Sequence, residues 1–252
     1  MNSITIEILL ICVIVGIVGV WGRPHCEISE ASADECGKRL MFIGEQTTGL
    51  PKNDDELKTR CGQVNEGLDC LKKYSKTCLD PFATQIMNIV IKNGDKLEAK
   101  YCKTDSERKK LLDALQCAQG SDLGPLHLCM EKFVVQMEHL AGVTGDHRIP
   151  ATCCSFQLMD HCVREAGVKI CSQKDKIDYI TKFLTEMTGE IVKTGCGKYD
   201  SLSHCDSAMD KKEWDNLKAL VASNDPKEIA AKRVNTSPFI ALKNVLKQLM
   251  EE

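Results

Sequence analysis

The chain has 252 residues, of which 33 are Lys or Arg and 36 are Asp or Glu, so its formal net charge is −3. A nearly neutral chain argues against a protein whose main task is to bind nucleic acid or an anionic membrane surface. Hydrophobic residues at 43% and charged residues at 27% exclude wholesale disorder. The most unusual feature of the composition is its 15 cysteines.

The first segment of the chain has the pattern of a signal peptide. Residues 9–20 read LLICVIVGIVGV, an apolar run too short to cross a bilayer. Val20 and Gly22 suit a cleavage after Gly22, so we predict that residues 1–22 are a signal peptide and that the chain is secreted. The acidic Glu7 and the lack of Lys or Arg before the run leave open a membrane anchor reaching back to Ile4. No later run is long enough for a membrane helix, so we expect no stable membrane association.

Removal of the leader takes Cys12 with it and leaves fourteen cysteines. An even number in a secreted chain indicates a set of disulfide bonds. The chain has neither a C-x2-C nor an H-x3-H pair, so we expect no structural zinc, no other metal and no cofactor. The predicted disulfide cysteines are Cys26, Cys36, Cys61, Cys70, Cys78, Cys102, Cys117, Cys129, Cys153, Cys154, Cys162, Cys171, Cys196 and Cys205.

The cysteines repeat along the chain. The intervals from Cys26 to Cys102 are 10, 25, 9, 8 and 24 residues, and those from Cys117 to Cys196, without Cys154, are 12, 24, 9, 9 and 25. This agreement predicts two copies of one module, at 23–107 and 108–205, although two unrelated cysteine-rich halves remain an alternative. Cys154 and Cys205 have no counterpart, so we predict that they pair with each other.

Each module is predicted to contain three helices. The first helices are expected near 33–46 and 126–141, followed by breaker-rich loops at 47–55 and 141–150. Asn53 or Asp54 is expected to cap the middle helix of the first module. Apolar stripes predict the third helices, in one module after Pro81 with Phe82, Ile86, Val90 and Leu97, and in the other with Ile177, Ile180, Leu184, Met187 and Ile191.

The middle helices carry cysteines nine residues apart, which point to opposite faces of a helix and so require different partners. Cys153 and Cys154 are adjacent, and we expect them to have separate partners as well, with a redox-active vicinal pair as the alternative. No long stretch alternates with a period of two. The predicted fold is therefore all-α: a disulfide-stapled tandem repeat of two three-helix modules with a C-terminal helical tail.

The tail, residues 206–252, has no cysteine and carries eight basic and eight acidic residues. Two apolar stripes predict a helical pair that docks on the modules, and a partner-binding or surface-associating tail is the alternative. The stripes are Trp214, Leu217, Leu220 and Val221, and Phe239, Leu242, Val245, Leu246 and Leu249. Asn235-Thr236-Ser237 is a glycosylation sequon, with Pro238 directly after it.

The familiar motifs of hydrolases, zinc proteases, nucleotide-binding proteins and EF-hands are missing, so we predict that the chain is not an enzyme. Two acid–base neighbours, Asp160-His161 and Glu138-His139, would diverge on a helix. An even cysteine count leaves no free thiol for catalysis.

The run with Glu56-Leu57, Cys61, Cys70-Leu71, Tyr74 and Cys78-Leu79 resembles the opening signature of the arthropod secreted haemolymph glycoprotein-like family (27 kDa hemolymph protein-like). The later run with Cys153-Cys154, Cys162, Cys171 and Cys196 is similar to that family's second half. The likeness covers about residues 26–205. It implies an extracellular, disulfide-bonded helical protein of uncharacterised function, and it supplies no catalytic residues.

The favoured function is a secreted, non-enzymatic binding protein of haemolymph or another secretory fluid. Its partner would be a protein or a small apolar ligand held between helices. The alternative is a secreted effector, such as a venom, salivary or immune factor that acts on a host or prey protein. An enzyme with an unfamiliar site is the third possibility, and a cleft with convergent acid–base groups would favour it.

Overall fold

The computed structural model describes residues 26–46, 49–143 and 145–248, apart from the side chains of residues 184, 185 and 187–194. The predicted signal peptide lies outside the described residues. Within these ranges the chain forms helices and no strand, and seven disulfide bonds join it, so the prediction of an all-α, disulfide-bonded chain is confirmed.

Most of the helices follow one another with short connections, and the longest connection, residues 39–53, joins the first two. In chain order they are α1 (Glu30–Lys38), α2 (Asp54–Cys78), α3 (Pro81–Lys103), α4 (Asp105–Gln116), α5 (Gly124–Leu140), α6 (Arg148–Ile170), α7 (Lys174–Gly195), α8 (Leu202–Ala208), α9 (Lys211–Leu220), α10 (Pro226–Ala230) and α11 (Pro238–Gln248). A 3₁₀ turn at Gly145–His147 leads into α6.

Polar side chains fix where the helices of the first half begin. Ser29 caps α1, and the Oδ1 of Asn53 accepts from the backbone N–H of Glu56 at 2.9 Å to cap α2. Asp80 caps α3 in the same way, with Pro81 in its first turn. Each cap satisfies a backbone donor that a helix start otherwise leaves without a partner.

The disulfides join cysteines in the same order in both halves of the chain. In the first half they are Cys26–Cys78, Cys36–Cys70 and Cys61–Cys102, and in the second half they are Cys117–Cys171, Cys129–Cys162 and Cys153–Cys196. Each set therefore links first to fifth, second to fourth and third to sixth. No bond crosses between the two sets. The seventh bond joins Cys154 to Cys205.

The first helix is shorter than the sequence predicts. It ends at Lys38, and residues 42–45 form bends that lie against α5 instead. Gly44 has a φ of +118° there and donates its backbone N–H to Nδ1 of the buried His127 at 3.0 Å. The left-handed conformation favours glycine, and a Cβ at this position would meet Met130 at 2.8 Å. The tertiary contact with α5 therefore replaces the predicted last turns of the helix.

The buried face of α3 is rotated by about one residue from the predicted stripe. Ala83, Met87 and Ile91 are buried, whereas Phe82 is exposed and Ile86 is half-buried. Met87 and Ile91 pack with residues of α1 and α2 in one core cluster. The other side of α3 meets α4 and α7, so more than one face of this helix is covered.

The two disulfide-bonded halves share their cores. Phe183 of α7 packs edge-to-face on Tyr101 of α3, with ring centroids 4.9 Å apart. Lys100 of α3 bonds both carboxylate oxygens of Glu186 at 3.0 and 2.9 Å. Helix α4, which the sequence reading missed, follows α3 after Thr104 alone, so the predicted boundary at 107/108 falls inside it.

The tail forms three helices, α9 to α11, rather than the predicted pair, and it packs on both halves. Trp214 and Leu217 of α9 are buried against the second half. On α11, Phe239 and Ile240 join the core of α1, α2 and α3, whereas Ala241 and Val245 join the core of α5 and α6. Helix α11 thus lies along the seam between the halves. The predicted stripe residue Leu249 lies outside the described residues.

None of the described helices combines the length and the hydropathy that a membrane crossing requires.

Candidate ligand cavity

An apolar cavity of about 270 Å³ lies at the seam between the two halves. Helices α1, α3, α5, α6 and α11 contribute to its wall, together with the bend after α1. We call it the seam cavity. Its apolar side chains are Leu40, Met41, Ile43, Ile86, Val90, Met130, Phe133, Met137, Ile149, Phe156, Met159, Val163, Pro238, Phe239, Leu242, Val245 and Leu246.

The seam cavity lies where helices from both halves and the tail meet. Ile86 and Val90 of α3 lie outside the buried stripe of that helix, and they line the cavity. The disulfide Cys153–Cys196 lines the wall and fixes the start of α6 to the end of α7. Helix α11 covers the space, with Phe239, Leu242 and Val245 on its inner side.

The seam cavity reaches the surface at the start of α6. Ile149 lines it and is also 51% exposed, which is unusual for an isoleucine. Small-molecule sites in proteins are concave, mostly apolar and often lie between helices. The position and the wall of this cavity fit that description.

Asp34 of α1 anchors the tail where α11 begins. Its Oδ1 accepts from the backbone N–H and the hydroxyl of Ser237, at 2.8 and 2.7 Å. Its Oδ2 accepts from the N–H and the hydroxyl of Thr236, at 2.7 and 2.6 Å. Asp34 is only 7% exposed, and a buried carboxylate requires such hydrogen bonds to offset its lost hydration.

Glu138 of α5 anchors the preceding residues of the tail from the other half. Its carboxylate accepts from the backbone N–H of Val234 and from both the backbone and side-chain N–H of Asn235. We call Asp34 and Glu138 the anchoring carboxylates. Gly37 permits the close approach on the α1 side, because a Cβ there would meet the Ser237 hydroxyl at 2.5 Å.

A third acid, Glu131 of α5, lies buried near Arg233 of the tail. Burial raises its pKa above the ordinary value of 4.5, and the nearby guanidinium of Arg233, 3.8 Å away, opposes that rise only in part. The amide of Gln46 donates to the same carboxylate at 3.5 Å. Folding therefore holds Glu131 in surroundings that favour its protonated form.

The predicted site residues lie in several places. Cys153 and Cys154 have separate partners, so they do not bond to each other. The side-chain N–H of Asn235 donates to Glu138 at 2.7 Å, and the Ser237 hydroxyl of the same sequon is buried on Asp34. With both of these groups engaged, attachment of a glycan would have to precede docking of the tail.

The two acid–base neighbours diverge in the structure. Asp160 bonds Arg164 at 2.8 Å, and His161 lies 3.4 Å from Glu165. Glu138 holds the tail, as described above. Neither Asp160-His161 nor Glu138-His139 lines the seam cavity.

Sequence reasoning did not identify the seam cavity or the anchoring carboxylates. The sequence predicts Ile86 and Val90 as part of a packing stripe, because an apolar stripe has the same pattern whether it packs on a neighbour or lines a space. Asp34 lies near the start of the predicted first helix, at 33–46. No local signal distinguishes it from an exposed acid there.

Comparison with models of protein families, with characterised proteins and with solved structures yields no match to this chain.

Proposed function

We propose that this protein is a secreted, non-enzymatic binding protein that holds a small apolar molecule in the seam cavity. The cavity is the observation that carries the proposal: about 270 Å³ with an almost wholly apolar wall. Leaving such a space empty is costly, because its wall loses the contacts that a filled core provides. An apolar ligand would restore those contacts.

Seven disulfides support an extracellular site of action, since bonds of this kind form and persist in oxidising compartments. They also suit a carrier. Crosslinks that fix α5, α6 and α7 keep the wall in place when the ligand is absent, so little ordering is required on binding.

The identical order of pairing in the two halves supports the origin of the fold by tandem duplication of one three-helix module. In this proposal the seam cavity is the space between two copies of a module, and the tail evolved to close it. The resemblance of residues 26–205 to the haemolymph glycoprotein-like proteins points to the same extracellular setting.

Calorimetric titration of the mature, oxidised protein with 1-decanol tests the proposal. We expect saturable binding to one site. Leu242 lines the cavity and is half-buried, so Leu242→Trp places a larger ring there. This change should weaken binding at least about tenfold, the equivalent of about two methylene contacts.

Asn244→Trp is the matched control, because Asn244 lies on the same helix, is also half-buried and does not line the cavity. It should leave the affinity unchanged. The proposal fails if the wild-type protein does not bind 1-decanol, or if the two tryptophan variants bind it equally well.

A further inference from the structure

We infer that Leu40 determines how deeply the chain of a bound ligand enters the protein, because it separates the seam cavity from a second apolar cavity. This inference rests on the proposed function and adds a specificity-determining residue to it. It concerns the inner end of the ligand site only, since a longer chain can also extend through the opening at Ile149.

The second cavity, which we call the inner cavity, has a volume of about 40 Å³. Helices α2, α3, α4 and α7 enclose it with apolar side chains that include Val64, Leu97 and Phe183. Its wall also contains Glu98, whose carboxylate pairs with Lys103 at 2.8 Å. The inner cavity thus lies in the core that the two halves share.

Leu40 lies between the two cavities. Among the described residues it alone lines both of them. Leu40 belongs to the turn after α1, and its side chain packs on α2 beside Gly67, where a Cβ would meet Cδ1 of Leu40 at 2.5 Å. The lack of a side chain at Gly67 therefore gives Leu40 its place against α2, and the size of Leu40 controls whether the cavities join.

Helix α3 places the two cavities one after the other. Ile86 and Val90 line the seam cavity, and Gly94 and Leu97 line the inner cavity. Steps of four, four and three residues keep these positions on one side of a helix, and a rise of about 1.5 Å per residue puts Gly94 about 6 Å beyond Val90. A straight chain that lies along α3 therefore meets Leu40 before it reaches the inner cavity.

The volume of the inner cavity suits the end of a straight chain rather than a ring. An apolar cavity of about 150 Å³ in another protein takes up one benzene, which corresponds to about 25 Å³ for each carbon. By this measure the inner cavity holds about one or two carbons. Leu40→Ala removes three carbons more, so the joined space would have room for about four further carbons of a ligand.

Calorimetric titration of the mature, oxidised protein with 1-octanol and 1-dodecanol tests the inference. The fully buried guanidinium of Arg148 lies in the wall of the seam cavity, so head groups of different charge would bind differently. Both alcohols carry the same hydroxyl, and the ratio of their affinities therefore reports on the chain alone. Each methylene that becomes buried raises the affinity about fourfold. Leu40→Ala should raise the ratio of dodecanol affinity to octanol affinity at least about tenfold over the wild type.

Leu97→Phe provides the control, because Leu97 lines the inner cavity and not the seam cavity, and a phenyl ring would fill the inner space. Alone it should leave the ratio unchanged, since Leu40 closes the inner cavity to the ligand. Combined with Leu40→Ala it should cancel the gain. Leu40→Val, a smaller truncation, should raise the ratio by less, and it replaces Leu40→Ala if that variant does not fold.

The inference is wrong if truncation of Leu40 leaves the ratio at the wild-type value, or if Leu97→Phe does not cancel the gain. It is also wrong if Leu97→Phe alone lowers the ratio, because the ligand would then already occupy the inner cavity. In each of these cases the protein still binds apolar molecules and the proposed function stands. If the wild type binds neither alcohol, the proposed function fails and this inference fails with it.

Discussion

The attachment of the tail to Asp34 makes a sharp quantitative prediction. Replacement of Asp34 by alanine removes an acceptor of four hydrogen bonds, two from Thr236 and two from Ser237. The two donors of Ser237 are buried and cannot turn to water, since that residue is 1% exposed. The donors of Thr236 are only partly buried, so water replaces the lost acceptor there.

The expected loss follows from these four donors. Each buried donor left without a partner costs about 1–3 kcal/mol, so the Ser237 pair contributes about 4 kcal/mol. Removal of the buried carboxylate returns part of its own desolvation cost. We therefore expect Asp34→Ala to lower the free energy of unfolding by about 3 kcal/mol.

Glu35→Ala is the matched control, because Glu35 is the exposed neighbour on α1 and its ion pair with Lys38 is long, at 3.9 Å. It should cost no more than about 0.5 kcal/mol. Urea denaturation followed by circular dichroism measures both losses, and hydrogen exchange reports the amides of residues 236–248. The reasoning is refuted if the two variants lose equal stability, or if α11 of Asp34→Ala exchanges as slowly as in the wild type.

Three further predictions concern the whole fold. The double variant Cys154→Ala with Cys205→Ala opens a loop with a sequence separation of 51 residues. It should lose about 2–4 kcal/mol in urea denaturation, and an unchanged midpoint would contradict this. Folding raises the pKa of Glu131, so the folded chain holds the proton of this carboxyl group more tightly than the unfolded chain does. The ionisation of Glu131 therefore lowers the free energy of unfolding as the pH rises above about 4.5. Glu131→Gln should remove that part of the pH dependence and be at least as stable as the wild type at pH 7. Urea denaturation between pH 4.5 and 7.5 measures this. If the stabilities of the two proteins change in parallel with pH, the prediction is wrong. Since Phe183 and α11 tie the cores of both halves together, calorimetry of the oxidised protein should show one cooperative transition, and two separate transitions would mean that the halves unfold independently.

Much of the helical architecture could be predicted from local chemistry. Asn53 and Pro81 mark helix starts, because a capping oxygen and a ring-fixed φ act within a few residues. The predictions were weakest where a distant contact competes with a local preference. The bend around Gly44 is such a place, since its hydrogen bond to His127 joins residues 83 positions apart.

The candidate site was much less accessible to sequence reasoning. Its wall draws on residues from Gly37 to Leu246, and no stretch of the sequence carries a pattern that belongs to the cavity. Hydrophobic periodicity records which face of a helix avoids water. It does not record whether a neighbouring helix or an open space meets that face.

Helix periodicity, capping residues and an even number of cysteines are local or countable features, so they are enough to predict a helical chain that is rich in disulfides. Only the folded chain reveals that the halves share their cores, that α11 lies along the seam, and that Asp34 and Glu138 hold it there. Packing and burial depend on which distant surfaces meet, and no local pattern records that. A carboxylate on α1 becomes an anchor, and an isoleucine on α3 becomes part of a cavity wall, only when the tail lies beside them.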